Sequence, residues 1–467
     1  MAQAQGSSAR LAIALEDTFK TRPSTLVHDC EAAWDELVDA DAVVTADASV
    51  FKVGTKSMKA VVAAGLAAGD IVATDGFAAK NLSGMTHLAF WFRSSVALDA
   101  GDYQILLDDS AQCASPIEAL NIPAVASSEV DTWKFCKVAL SNPAACTAIV
   151  SVGLKCVVDK AGTFYLDDIR AVHQAHSIPF ISESIRASKN LFASNVLRTG
   201  RQPLTPSPGV KAVGGAIATE LSPIGLQMLW YGLFGSKTVS GSGPYQHTFK
   251  FGSTLPSFFV EKQMTDILQY FQYSGCVVEG FSMDVKPDGP ITCNFDILGC
   301  SETLDTAPHD DDPLYNGWSQ FNGAEVAISR GGSTLGIADN VTLSIKNNHD
   351  GNVYVLDGTS ERKYLPAGKI SVEGKLTCLF EDSTLYALAM ANTETSLVIT
   401  CSRGTGDGSA GNEKMVFTID ELIFKQESPV VNGPTGLKVE LSFQPYYDNG
   451  ASASAVKLDI YNNVSTF

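Results

Sequence analysis

Three observations predict an all-β protein, built of sandwich or barrel modules with short helices. Apolar and polar residues alternate with period two along most of the chain, as in "KISVEGKLTCLF" and "SLVITCS", the pattern of half-buried strands. Helical patterns are few and short. Strand-like runs are separated by turn residues such as "KPDGP" and "SPVVNGPTG", where proline and glycine set hairpin geometry.

A chain of 467 residues exceeds one ordinary domain, so two or three cores are expected. With 45% hydrophobic residues it reads as a folded globular protein. Its formal charge of −18 argues against wrapping nucleic acid, which needs clustered Lys and Arg. Acidity serves solubility, and it would also suit a passage that carries DNA without holding it. "RLAIALEDTF" breaks its apolar run at Glu16 and Asp17, so it is not read as a secretion signal. No apolar run reaches the ~18 residues of a membrane span. The ten cysteines, Cys30 to Cys401, are dispersed without CxxC pairs, which predicts buried, reduced thiols of a protein made in a cytoplasm.

Composition shifts near "TFKTRPSTLVHD" and "IRAVHQAHSIPF" separate residues 1–22, residues 23–174 and the remainder. Within 23–174, "LSGMTHLAFWFRSS", "DYQILLDDS", "WKFCKVAL" and "GTFYLDDIRAV" are short strands at sandwich spacing. In the last of these Phe164 and Leu166 share one face and Tyr165 and Ile169 the other, so both faces should be buried. This region resembles jelly-roll, carbohydrate-binding-like modules. That resemblance implies a structural calcium on Asp167 or Asp168; a plain structural role is the other reading of the pair. Trp91 and Trp133 are read first as sandwich-core residues, with sugar stacking as the alternative.

A repeat follows. "GGAIATELSPIGLQMLWYGL" and "VEGKLTCLFEDSTLYALAMA" superpose without a gap, Gly215 on Gly374 and Leu226 on Leu385, at a shift of 374 − 215 = 159. Each copy runs from a strand into a short apolar helix and ends in a hairpin-like pair. In the second copy Ile370, Val372, Leu376, Cys378 and Phe380 form a packing face, with Ser371, Glu373, Lys375 and Thr377 opposite. The copies are placed at 175–306 and 307–467, joined by "APHDDDPLYNGWSQ" (307–320), which reads as a solvated acidic connector.

Catalytic signatures do not occur: there is no GxSxG, HExxH or P-loop pattern. "RGTGDGSAG" (403–411) joins two strands rather than opening a helix, so it is a loop and not a phosphate cradle. His309 beside Asp310, Asp311 and Asp312 is a solvated loop or a metal site. The chain is expected not to be an enzyme.

"IPFISESI", "LPSFFVEKQ", "YFQYSGCVVEGFSMDV" and "ITCNFDILG", with "GSSARLAIALEDTFKT" at the start, together resemble the tail tube proteins of long-tailed bacteriophages. The resemblance covers residues 1–22 and about 176–467, with the sandwich as an insertion. It implies a virion tail component, assembled in the bacterial host cytoplasm alongside other tail proteins. Subunits would close into rings, and the rings would stack into a tube that conducts DNA without binding it specifically. The repeat implies three chains with pseudo-sixfold symmetry, with a hexamer as the alternative. Glu220, Glu279, Glu373 and Lys375 lie by alternation on the polar face, which lines the lumen or forms the outer surface. The insertion would project outward, with at most weak glycan contact, and no membrane is involved. A carbohydrate-binding adhesin or accessory module is the rival reading.

Overall fold

Val372, Leu376 and Cys378 are buried, while Glu373 between them is exposed, so the alternation seen in the sequence is a strand with one wet face. The computed structural model describes residues 4–196, 201–431 and 436–465. Two units emerge, one of Met1–Thr21, His176–Asp305 and Leu314–Phe467, the other of Arg22–Ala175 with Thr306–Pro313.

In the first unit β1 (Ala9–Leu15) precedes β2 (Arg186–Phe192), β3 (Ser207–Glu220), α1 (Gln227–Phe234), β4 (Phe258–Met264), β5 (Gln269–Val285) and β6 (Thr292–Gly299). Then come β7 (Ala338–Lys346), β8 (Ser371–Leu379), α2 (Thr384–Met390), β9 (Thr395–Ser402), β10 (Lys414–Phe424) and β11 (Lys438–Pro445). All their pairings are antiparallel. β3 lies between β2 and β6, β6 pairs with β5, and β5 with β4. The second set repeats this order: β8 lies between β7 and β11, β11 pairs with β10, and β10 with β9. The register repeats as well, since Gly215 stands opposite Ile297 and Gly374 opposite Phe443. β5 then pairs with β7 and joins the sets into one sheet. β1 runs along β4.

The two aligned glycines share a physical reason. A Cβ on Gly215 would lie 2.4 Å from the Ser184 carbonyl oxygen, and one on Gly374 would lie 2.2 Å from the Phe443 ring and 2.7 Å from the Thr342 carbonyl oxygen. In each half the neighbouring backbone approaches too closely for a side chain.

α1 is apolar on all sides and almost wholly buried, as a helix enclosed by its own sheet must be. It ends at Gly235, whose φ of 78° supplies the left-handed cap. Its Trp230 joins a core that includes Phe281, Phe295, Phe417 and Leu441. α2 is more open, burying only Leu385 and Ala389.

One carboxylate of this unit makes its stability depend on pH. Glu16 accepts N–H bonds from Gly275 (2.8 Å) and Lys20 (2.9 Å), yet burial dominates and pushes its pKa up to about 7 from 4.5. The folded state therefore holds more protons than the unfolded one between these values, and stability falls as pH rises from about 4.5 to about 7. The full effect is on the order of 3 kcal/mol. Glu16→Gln is expected to remove this part of the slope, which urea unfolding at pH 4.5 and pH 7.5 measures.

The second unit is a sandwich of two antiparallel sheets. One orders Lys134–Ala139, His87–Ser94, Gly162–Val172, Ser57–Val62 and Ala42–Asp47, with Ser24–His28 on the far end of Gly162–Val172. The other orders Leu37–Val38, Ile71–Lys80, Ile149–Cys156, Tyr103–Asp108 and Glu118–Asn121. Trp34, Phe90, Phe92 and Phe164 fill the space between them. Phe164, Tyr165, Leu166 and Ile169 are all buried, so that strand is covered on both faces. All ten cysteines of the chain are free and buried.

The acidic loop is not a solvated connector. Residues 306–313 fold into the sandwich unit, and His309 and Asp310 are buried there. Both carboxylate oxygens of Asp310 meet Lys137 Nζ, at 3.0 and 2.9 Å, and one also accepts the Ala175 N–H. Lys137 further donates to the Asp312 carbonyl. His309 Nδ1 accepts from Arg22 Nε and its Nε2–H donates to the His173 carbonyl (3.1 Å), and burial pushes its pKa down to about 3.

Candidate functional site

Residues opposite one another in a sheet share a face, so the registers assemble the polar surface directly. One row runs Glu220, Thr292, Asp284, Thr342, Lys375, Ser442 across β3, β6, β5, β7, β8 and β11. The adjacent row runs Ala218, Asn294, Ser282, Ser344, Glu373 across the first five of these strands. Glu220, Glu373 and Lys375 therefore stand on one continuous face. Over the second half it forms a depression of about 980 Å³ lined by Thr342, Ser344, Glu373, Lys375, Ser442 and Gln444.

Glu279 does not join them. A β-bulge falls between Val278 and Gly280, which takes Glu279 out of the alternation. Its carboxylate instead accepts the His349 N–H (2.9 Å) and lies 2.6 Å from His349 Nδ1. Its carbonyl accepts from Asn347 N–H, and the Asn347 amide in turn donates to Val278 and Leu233 carbonyls. Glu279 thus anchors the turn after β7.

Alternation also places Asp296, Asp284, Glu440, Lys346 and Lys438 on the polar face. The signal for them was present in "TCNFDILG" and "KVELSFQP", where polar residues alternate with buried ones. Within the six strands the face then carries Glu220, Asp284, Asp296, Glu373 and Glu440 against Lys346, Lys375 and Lys438, an excess of 5 − 3 = 2 negative charges. Lys375 pairs with Glu440 and Lys438 with Asp339, at 2.8 and 2.7 Å. Burial works to raise the Asp284 carboxyl, but hydrogen bonds from Lys286 and Asn340 outweigh it and hold the group below the usual range. The six strands contain no arginine. Such a face is mostly uncharged, with its ammonium groups largely spoken for, and offers phosphates little to grip.

In the sandwich unit Asp167 is buried. Its Oδ2 accepts the Lys52 and Val53 N–H groups at 2.7 and 2.9 Å, while burial pushes its pKa up to about 6. Asp168, at φ 46°, holds Arg170 Nε with both oxygens, at 2.8 and 2.9 Å. Calcium takes about six to eight oxygens. Of this pair only Asp167 Oδ1 has no hydrogen-bond partner among the described residues. Among the described residues no group of three or more His, Cys, Asp or Glu is placed to hold a metal. Trp91 is buried, with Phe135 against its edge and Lys52 Nζ 4.2 Å from its ring centre. Trp133 is half-buried against Tyr165.

No curated protein matches the sequence. Among solved structures the chain is similar to the family 30 carbohydrate-binding module of a cellulosomal cellulase of Clostridium thermocellum, at 13% identity and a TM-score of 0.21, covering 33% of this chain and 96% of that one. It is also similar to the N-terminal CBM22 tandem domain from Paenibacillus barcinonensis, at 8% identity and a TM-score of 0.23, covering 96% of this chain and 100% of that one. Residues 139–445 match the phage tail tube protein family, a span that includes both halves of the joined sheet and its polar face, and the chain belongs to that family.

Proposed function

We propose that copies of this chain close into rings, and that the rings stack into the hollow tube of a phage tail through which DNA passes to the host. The observation that carries this reading is a sheet of two equivalent halves with one buried face and one polar face whose six strands β3, β6, β5, β7, β8 and β11 carry no arginine, Arg186 standing at the β2 edge beside them. A wall of that kind lets phosphates pass, because strong phosphate contacts come chiefly from Lys and Arg. Two halves per chain give six lobes from three chains, so a trimer of pseudo-sixfold symmetry is the ring we assign. Closing a ring also covers strand edges that a lone sheet leaves open.

The role is structural rather than catalytic. The chain is a tail component that assembles in the host cytoplasm with other tail proteins. The sandwich unit serves as a decoration on the outside of the tube, since a narrow channel has no room for it. Negative-stain electron microscopy of the purified, concentrated protein tests the reading. Hollow tubes whose end views show six lobes about a threefold axis are expected. A persistent monomer at high concentration would overturn the ring, and six identical chains per ring would replace the trimer with a hexamer.

A further inference from the structure

The junction between the two halves of the sheet is a template for a junction between chains. Within one chain β5 of the first half pairs with β7 of the second, with Gly280 opposite Lys346, Phe281 opposite Ile345 and Ser282 opposite Ser344. The second half has its own equivalent of this part of β5, and the first half has its own equivalent of β7. Among the described residues neither is paired with a strand at the matching place.

The equivalences follow from the registers. Ser188 stands opposite Ala212 and Lys346 opposite Ser371, with 371 − 212 = 159, so Ser188 is the counterpart of Lys346. Arg186 opposite Gly214 and Ser344 opposite Glu373 agree, since 373 − 214 = 159. On the other edge, Asp296 stands opposite Ala216 and Ser442 opposite Lys375, with 375 − 216 = 159. Gly280 pairs with Asp296, and Lys425 donates its N–H to the Ser442 carbonyl at 2.7 Å. Lys425 is therefore the counterpart of Gly280, and Glu427 that of Ser282.

From this we infer that residues 425–429 of one chain add as an antiparallel strand to residues 184–188 of a second copy, with Lys425 opposite Ser188, Gln426 opposite Ala187 and Glu427 opposite Arg186. The inference rests on the ring reading above and supplies its seam. The chemistry at the seam agrees with the register. Arg186 is exposed and faces a carboxylate in this pairing, and among the described residues no strand pairs with 425–429 on the side away from β11. Because Lys425 bonds to β11, the backbone groups of Gln426 and Ser428 point the other way. Because Ser184 donates to the Ala216 carbonyl at 2.9 Å, those of Ile185 and Ala187 point outward too. Pro429 falls on the side that faces β11, so its missing N–H costs the seam nothing.

In the single chain the outward groups of β2 are blunted by side chains. The Ile185 carbonyl accepts from Lys262 Nζ (2.8 Å) and Tyr273 OH (3.1 Å), and the Ala187 N–H donates to Glu302 (3.2 Å). The corresponding groups of β7, on Leu343 and Ile345, meet β5 backbone instead. Side-chain caps of this kind protect an edge until its proper strand arrives.

Lys425 and Ser188 would form a non-hydrogen-bonded pair with Cα atoms about 4.5 Å apart, within disulfide range. The test is the double variant Ser188→Cys with Lys425→Cys, oxidised mildly and run on a non-reducing gel, in a chain whose own cysteines are all buried. A reducible ladder beyond the dimer is expected, at least tenfold stronger than for Ser188→Cys with Glu427→Cys or for either single variant. Rings or tubes visible in the microscope without that excess would overturn the seam while leaving the ring intact. A wild-type protein that stays monomeric would overturn the ring reading and the seam with it. If the cysteine variant does not assemble, charge exchange decides: Arg186→Glu and Glu427→Arg should each weaken assembly and together restore it, and no restoration overturns the seam.

Discussion

Trp230→Ala is expected to destabilise the sheet unit by about 3–5 kcal/mol, the usual cost of truncating a fully buried large aromatic. The indole is 0% exposed. It packs edge-on against Phe281 (4.7 Å between centroids), Phe295 (5.0 Å) and Phe417 (5.8 Å). The first two rings belong to strands of the first half and the third to β10 of the second, so one side chain ties the halves together. At the aligned position of the second copy, 230 + 159 = 389, stands Ala389, also buried. Native-state hydrogen exchange gives the unit-specific readout. Amides of β5, β6 and β10 should lose protection about a hundredfold or more, since each 1.4 kcal/mol is tenfold. Amides of the sandwich strands should keep theirs. Loss confined to the first half would mean that the halves do not share one cooperative core.

The joined sheet was legible because its strands are amphipathic and its halves are similar in sequence. Alternation alone put Glu220, Glu373 and Lys375 on a polar face, and the gapless shift of 159 aligned Gly215 with Gly374 before their common steric reason was visible. Local pattern carries that much because face and period are properties of consecutive residues. What it does not carry is pairing across distance. Glu279 obeys the alternation in sequence and leaves it in the structure, because a bulge held by Asn347 and His349, some 70 residues away, inserts one extra residue. Likewise the edge that receives β7 is defined by register between strands, and no run of residues announces it.

The acidic loop shows the same limit in electrostatic form. Asp310, Asp311 and Asp312 in a row read as solvent-facing, since unpaired charge is costly to bury. Lys137, 173 positions earlier, changes that outcome. From that pair follows a second large effect. Asp310→Ala is expected to destabilise the sandwich unit by about 3–5 kcal/mol, because removing one partner strands the other's charge in a buried place. The Lys137 side chain is 10% exposed and that of Asp310 0%, so water offers little relief. Replacing both, as Lys137→Met with Asp310→Leu, should recover most of the loss, since an apolar pair needs no desolvation. Thermal unfolding of the single and double variants measures this, and equal losses in both would show that packing rather than charge holds the segment. The effect should also stay local. Residues 306–313 leave the sheet unit after Asp305 and return to it at Leu314, and neither the polar face nor the residues at 184–188 and 425–429 belong to the loop. Asp310→Ala should therefore expose residues 306–313 to proteolysis while the proposed self-assembly persists, which separates the stability of the sandwich unit from that of the sheet unit.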